Sequence, residues 1–501
     1  MRTESELKGF IREGIRTLAR EKDLAAFEIY CSSSEHRVAR LNYTSEIPSR
    51  GVEEFKSLNA DGFALRIVMR NDAHQTGSAS CAGDLSVEAL HAMLVRARQS
   101  LVSDPHFPGL PRDAHKLPKT AGAGALMRVG DAGLAAAAWR IIGGALDAFK
   151  SCKLARPGLV IGGDLSLIRD RIALGGSGFD IRGDESAYFS SSVTALIEAL
   201  GAKGTATALG SSLEHMNQAS RRLGREAVAR ALKLRDGERA APGAYRVVFA
   251  PQPLAEIVNY MVLPSLTTHA FQAATSAYYG RFGCQVMDER LSLKDDPLTK
   301  SGALRRRLTC EGLPAGETRL IENGRLTGLL STFYDTHRLL TDAARNEKLG
   351  SASVGDGLVF PPRSAYRLGE SVARRFDARP SATGTNVVMS ARGGVSEGEM
   401  LTAVGNGLYV GRVWYTYPIN GQRAGDFTCT ISGDSHVIEG GRLGAPLAPN
   451  CLRINANIEQ IFARPLALAR RSQPALVWGS AEVYYVPAIA VDAITVSAVA
   501  P

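Results

Sequence analysis

At 501 residues the chain exceeds what one hydrophobic core ordinarily serves, and a composition that is 45% hydrophobic and 22% charged is that of a globular protein of two to three domains. Its net charge of +9 is spread along the chain, with only short clusters such as Arg305-Arg306-Arg307, so it describes solvated faces rather than a nucleic-acid groove. The seven cysteines show no CxxC spacing and are odd in number, which excludes a disulfide framework. The opening MRTESELKGF is polar and no long apolar run follows, so a cytoplasmic protein with no membrane segment is expected.

Leu7, Phe10, Ile11, Ile15 and Leu18 recur at helical spacing and predict a helix over Ser5 to Lys22. Strands follow at 27–31, 37–43 and 62–69, the last alternating Phe63, Leu65 and Ile67. Ser86, with Glu88 in the first turn, is the expected N-cap of a helix carrying Leu90, Leu94 and Leu101. Four prolines between Pro105 and Pro118 mark an internal connection, after which an Ala-rich helix from Ala132 to Phe149 leads into strands at 159–174 and 187–199. A basic amphipathic helix from Ser212 to Leu234 closes this half, and Asp236-Gly237 through Pro242-Gly243 reads as a boundary. The expected division is an N-terminal domain at 1–238 and a C-terminal domain at 239–501.

The second half opens with a strand at 245–250 and a compact helix. In it Leu254, Ile257, Val258, Met261 and Val262 fall on one face, with Pro251 and Pro253 at the start and Pro264 at the stop. Glu256 on that helix is expected to face solvent. Beyond Leu291 strands and turns dominate. Asn323-Gly324 predicts a type I′ hairpin between Ile321-Glu322 and Arg325-Leu326, and Ile438-Glu439-Gly440-Gly441-Arg442-Leu443 repeats it, each with a Glu and an Arg placed to pair across the strands. The fold class expected is α+β: a mixed α/β N-terminal domain with helices on a sheet, and a mainly antiparallel, barrel-like C-terminal domain.

Gly62-Phe63-Ala64-Leu65-Arg66-Ile67, Gly77-Ser78-Ala79-Ser80, Gly243-Ala244-Tyr245-Arg246-Val247-Val248, Leu291-Ser292-Leu293-Lys294-Asp295-Asp296-Pro297, Glu311-Gly312-Leu313-Pro314, the two hairpins and Gly425-Asp426-Phe427 together resemble the TldD/PmbA family of peptidase subunits. In that family a TldD-like subunit carries His-Glu-x-x-x-His on the helix after the first strand of the second half, with a Cys near its C-terminus as a further zinc ligand. Two imidazoles on one helical face can hold zinc while the Glu serves a metal-bound water as general base. Here the same helix reads Pro251-Gln252-Pro253-Leu254-Ala255-Glu256-Ile257-Val258-Asn259-Tyr260-Met261-Val262-Leu263, without histidine, and no cysteine follows Cys451. The resemblance therefore implies a PmbA (TldE)-like, metal-free chain with no catalytic or metal-binding residues and no cofactor of its own. Its implied partner is a TldD-like zinc-bearing subunit, and its implied substrate an unfolded or modified peptide.

The nine histidines do not cluster, and no two are three to five residues apart. Neither a Gly-x-Ser-x-Gly elbow nor a complete phosphate loop is present, so Gly175-Gly176-Ser177-Gly178 reads as a turn. Trp414, Tyr415 and Tyr417 alternate imperfectly along an expected strand, followed by a loop from Asn420 to Asp426. In the family this loop faces a chamber shared by the two subunits, which makes Trp414, Tyr415, Tyr417, Asn420 and Asp426 candidates for holding a peptide by strand addition. Core packing of the aromatics beside an ordinary turn would leave the same pattern, and the sequence leaves both open. A binding or regulatory protein acting alone on nucleic-acid enzymes is the alternative class.

Overall fold

The computed structural model spans residues 1–501 and describes all of them except 46, 48–49, 113–114, 120–123, 153–157, 235–236, 351–359, 370–371 and 500–501. Asp236, the first residue of the expected boundary, and parts of the proline-rich connection lie outside the described residues. The fold is α+β, as expected.

The first helix, Glu4–Leu18, starts at a capping box in which Thr3 and Glu6 satisfy each other's backbone N–H groups, and it buries Leu7, Phe10, Ile11 and Leu18. It packs with helices Val87–Gln99, Asp131–Lys150 and Leu213–Lys233 on one face of a seven-stranded sheet. Ser86 and Ser212 cap the second and fourth of these through their hydroxyls. Asp131–Lys150 is apolar and long enough to cross a membrane by composition, but its Leu134, Ala138, Ile141 and Ala145 belong to the core beneath it.

The sheet runs Val102–Ser103, Gln75–Ala82, Lys56–Met69, Leu24–Thr44, Leu159–Gly176, Arg182–Ile197, Ala202–Gly210, each neighbour antiparallel to the next. Side chains alternate between its faces. Ile29, Cys31 and Ala173 meet the helices, whereas Tyr30, Ile172 and Leu174 meet Leu308, Cys310, Ala365 and Phe376 of the second half. The sheet is thus covered on both sides, and its second face carries charge as well. Arg374, fully buried, donates from Nε to Asp170 Oδ1 at 2.8 Å and from Nη1 to Asp184 Oδ2 at 2.6 Å, while Arg307 Nε reaches Asp184 Oδ1 at 3.3 Å. The Glu311-Gly312 turn docks on the same face, where Gly312 lies against the Phe179 ring and its carbonyl accepts from Arg182 Nη1 at 2.6 Å.

The second half holds a six-stranded sheet and a nine-stranded one, both mainly antiparallel; Asn386–Ala391 with Val483–Val486 and Gly407–Val410 with Gly243–Phe249 are parallel pairs. The C-terminal sheet curls into a half-barrel. The nine-stranded sheet does not close, so Arg412–Pro418 and Arg442–Pro446 remain edge strands. Within the segment read as a boundary, Glu238 N donates to Pro446 O at 2.8 Å and Ala448 N to Glu238 O at 2.8 Å, which lays the entering chain along the second half.

Both predicted hairpins form. Asn323 and Gly324 have φ of +47° and +73°, Gly440 and Gly441 of +54° and +76°, and the flanking residues pair as Glu322 with Arg325 and Glu439 with Arg442. The charges in the first hairpin are arranged otherwise than expected: Glu322 binds Arg319 at 2.9 Å, and Arg325 donates to the Gly283 carbonyl. A Cβ at Gly324 would collide with the Met287 carbonyl oxygen as well as strain the backbone. Gly324→Ala should therefore lower stability by about 1–3 kcal/mol, seen as a lower urea midpoint; an unchanged midpoint would contradict the close packing of this turn.

Candidate functional site

The site lies where helix Pro251–Ile257 meets the edge strand Arg412–Pro418. Pro251 at the first helical position suits a residue whose N–H would have no partner, and the helix continues through a π-helical turn, Val258–Val262. Leu254, Ala255, Ile257, Val258, Met261 and Val262 are all buried, so the helix is apolar on nearly every side and has no solvent face to offer Glu256. This corrects the expectation of an exposed carboxylate: Glu256 is only 6% exposed. Burial pushes its pKa up to about 7, an effect that Thr416, Arg412 and Gln252 offset only in part.

Gln252 ties helix to strand. Its Nε2 donates to Glu256 Oε1 at 3.0 Å and to Val413 O at 3.3 Å, and Val413 N donates to Gln252 Oε1 at 3.0 Å. A side-chain amide thus satisfies both outward-facing backbone groups of Val413, as a neighbouring strand would. Further along, Trp414 pairs with Thr430 and Tyr417 with Thr428, so two residues oppose Cys429 alone. This bulge, with Tyr415 at φ +54°, resets the alternation: Trp414 and Tyr415 both face outward with ring centroids 4.7 Å apart, Thr416 turns in, and Tyr417 turns out again. Trp414, Tyr415, Tyr417 and Ile419 are all exposed, Tyr415 to 68%. The aromatics are not core residues.

Asn420 and Asp426 close the hairpin that follows. Asn420 Nδ2 and Asn457 Nδ2 donate to the two oxygens of Asp426 at 2.9 and 2.8 Å, holding its pKa below the usual carboxylate value. They line an open hollow of about 660 Å³ with Ile419, Asn455, Glu459 and Arg464. The five sequence candidates therefore share one hairpin, the aromatics on the strand and the polar pair at its turn. Gln252 and the burial of Glu256 were missed by sequence reasoning; the nearly all-apolar run around Glu256 was the available signal.

The donors present do not fit zinc. The helix offers one carboxylate and no imidazole, that carboxylate is engaged by Gln252, and no three His, Cys, Asp or Glu side chains converge as a metal cage among the described residues.

The family model for the PmbA/TldA metallopeptidase C-terminal domain matches residues 242–498. No curated protein sequence matches the chain. Among solved structures, TldE from Thermococcus kodakarensis superposes with a TM-score of 0.77 at 15% identity, covering 99% of this chain and all of its own. Two proteins named as proposed modulators of DNA gyrase, from Bacteroides thetaiotaomicron and Thermotoga maritima, superpose at 0.73 and 0.72 with 16% and 15% identity, each over 99% of this chain and 99% and 100% of theirs. These likenesses establish a shared fold across the whole chain. With its second half matching the family's own C-terminal domain, the chain belongs to the TldD/PmbA family.

Proposed function

We propose that this chain is the metal-free, TldE-type subunit of a two-subunit peptidase and that it holds an extended peptide against a zinc-bearing TldD-type partner. The observation that carries the reading is the bulged edge strand. It presents Trp414, Tyr415, Tyr417 and Ile419 outward beside a helix that carries no imidazole. Flat aromatic surface and open backbone bind a peptide with little regard for its sequence, because main-chain hydrogen bonds and ring contacts are available from any residue. Among the described residues no group is poised to attack an amide. What it contributes is a wall that orders the peptide and excludes water while the partner's zinc does the chemistry.

Mixing the purified chain with a TldD-type subunit should create peptide cleavage that neither shows alone. In that mixture, Trp414→Ala combined with Tyr415→Ala should raise KM about tenfold, the loss of roughly 1.4 kcal/mol of ring contact, with the zinc content of the complex unchanged. A partner fully active alone, or one tightly held zinc per isolated copy of this chain, would overturn the reading.

A further inference from the structure

At the N-terminal end of helix Pro251–Ile257, two hollows of about 290 and 340 Å³ share Pro251, Glu397, Tyr409 and Gln473 and so form one cleft. Its two ends differ in chemistry. One has an apolar wall of Val248, Val395, Met400 and Leu401, with Arg470 and Arg471 also lining it. The other brings Arg412 from the edge strand together with Arg230 and Lys233 from the last turn of helix Leu213–Lys233, facing Asp434, His436 and the exposed Glu397.

Arg412 is the unusual member. It is half-buried, yet its guanidinium makes no hydrogen bond or ion pair among the described residues, and its nitrogens stay open to the cleft it lines. Burial lowers its pKa, Asp434 and Glu256 restore it only in part, and Arg230 opposes them. Asp434 is already shared with Arg230, at 3.5 Å, while the same Arg230 Nη1 donates to Thr205 O at 2.7 Å. His436 adds no compensating charge, since burial and the nearby Lys233 hold its pKa down. Three cations thus face two carboxylates. A half-buried guanidinium without a partner is stabilised by an incoming anion, and most strongly by a planar one it can grip with two N–H groups.

We propose that this cleft binds the C-terminus of a peptide, the terminal carboxylate on Arg412 and Lys233 and an apolar last side chain in the hollow beside Met400 and Leu401. The neighbouring hollows match both groups, and an inorganic anion would leave the apolar end unused. The proposal rests on the peptide-holding role only for the nature of the ligand, and it specifies which end of the peptide this subunit takes.

Binding is measured on the isolated full chain, by calorimetry with acetyl-Ala-Ala-Ala-Leu as the free acid, as its C-terminal amide, and with Gly in place of Leu. The free acid should bind at least about tenfold more tightly than the amide, as one charge-assisted pair implies. Replacing Leu by Gly should weaken it severalfold. Arg412→Gln should erase the preference for the acid, Arg412→Lys should restore part of it, and both variants should keep the wild-type urea midpoint to within the scatter of the measurement. If Arg412→Gln unfolds, Lys233→Gln, on an exposed helix end, carries the same test. Equal affinity for acid and amide, or inorganic phosphate competing as well as the peptide acid, would overturn the proposal. Because the partner subunit is absent from this measurement and none of its variants alters Trp414 or Tyr415, its failure leaves the mixed-subunit activity to be judged separately.

Discussion

Arg374→Met should cost the protein about 3–5 kcal/mol at pH 8, the largest loss expected from any single substitution considered. The guanidinium is buried between Asp170 and Asp184 of the N-terminal sheet, bonded at 2.8 and 2.6 Å, and its N–H backbone group also donates to Asp170 Oδ2 at 3.1 Å. Methionine fills similar volume, so little of the loss comes from a cavity. It comes from two carboxylates left in an apolar contact, of which only Asp184 keeps a second cation, Arg307. Burial already pushes the Asp184 pKa upward, and removing the cation strengthens that tendency. A carboxyl with a raised folded-state pKa is stabilising below its unfolded pKa and loses that contribution as pH rises through the folded value. The deficit of Arg374→Met should therefore shrink on going from pH 8 to pH 5, and adding Asp170→Asn and Asp184→Asn should recover most of it. Urea denaturation at the two pH values measures this; a deficit independent of pH would show that the loss is one of packing.

Glu256→Gln should have the opposite sign. The folded carboxyl has a pKa of about 7 against 4.5 for the ordinary group, so the wild type loses stability between about pH 4.5 and 7 as the unfolded chain ionises and the folded one resists. Glutamine carries no charge in either state and can still accept from Gln252. The variant should match wild type below about pH 4 and exceed it by about 3.5 kcal/mol above pH 7.5, at about 1.4 kcal/mol for each pH unit between 4.5 and about 7. A variant less stable than wild type at pH 8 would mean that the carboxylate is held by something stronger than Gln252. Proton uptake on refolding at pH 6, followed with an indicator dye, checks the same shift without a mutation.

Local chemistry was legible in the sequence where one or two residues decide the backbone. Asn323-Gly324 and Gly440-Gly441 announce their turns because few other pairs tolerate two positive φ values, and Ser86 announces its cap. The candidate strand was visible as aromatics but not as a face, since the bulge at Tyr415 shifts the period by one residue and alternation is all that a sequence displays. Glu256 was misread for a related reason. A carboxylate on a helix is normally at the surface, and what buries it here is a strand more than 150 positions later, joined through Gln252 to Val413 across 161 residues. The Arg374 pairs span 204 and 190 positions, and nothing local to Asp170 or Asp184 marks either as buried.

The carboxylates on the second face of the N-terminal sheet also bear on how the chain is made. The sheet's strands end at Gly210, whereas Arg307 and Arg374, which neutralise Asp170 and Asp184, are synthesised well afterwards. Until they emerge, this face waits on the ribosome as a patch where Tyr30, Ile172 and Leu174 are interrupted by ionised, hydrated side chains. Such charges act as gatekeepers, discouraging nascent chains from sticking to one another through exposed strands. Their burial then makes docking of the second half selective: a neighbour that is merely greasy cannot replace the arginines, so the intramolecular partner wins over a stranger.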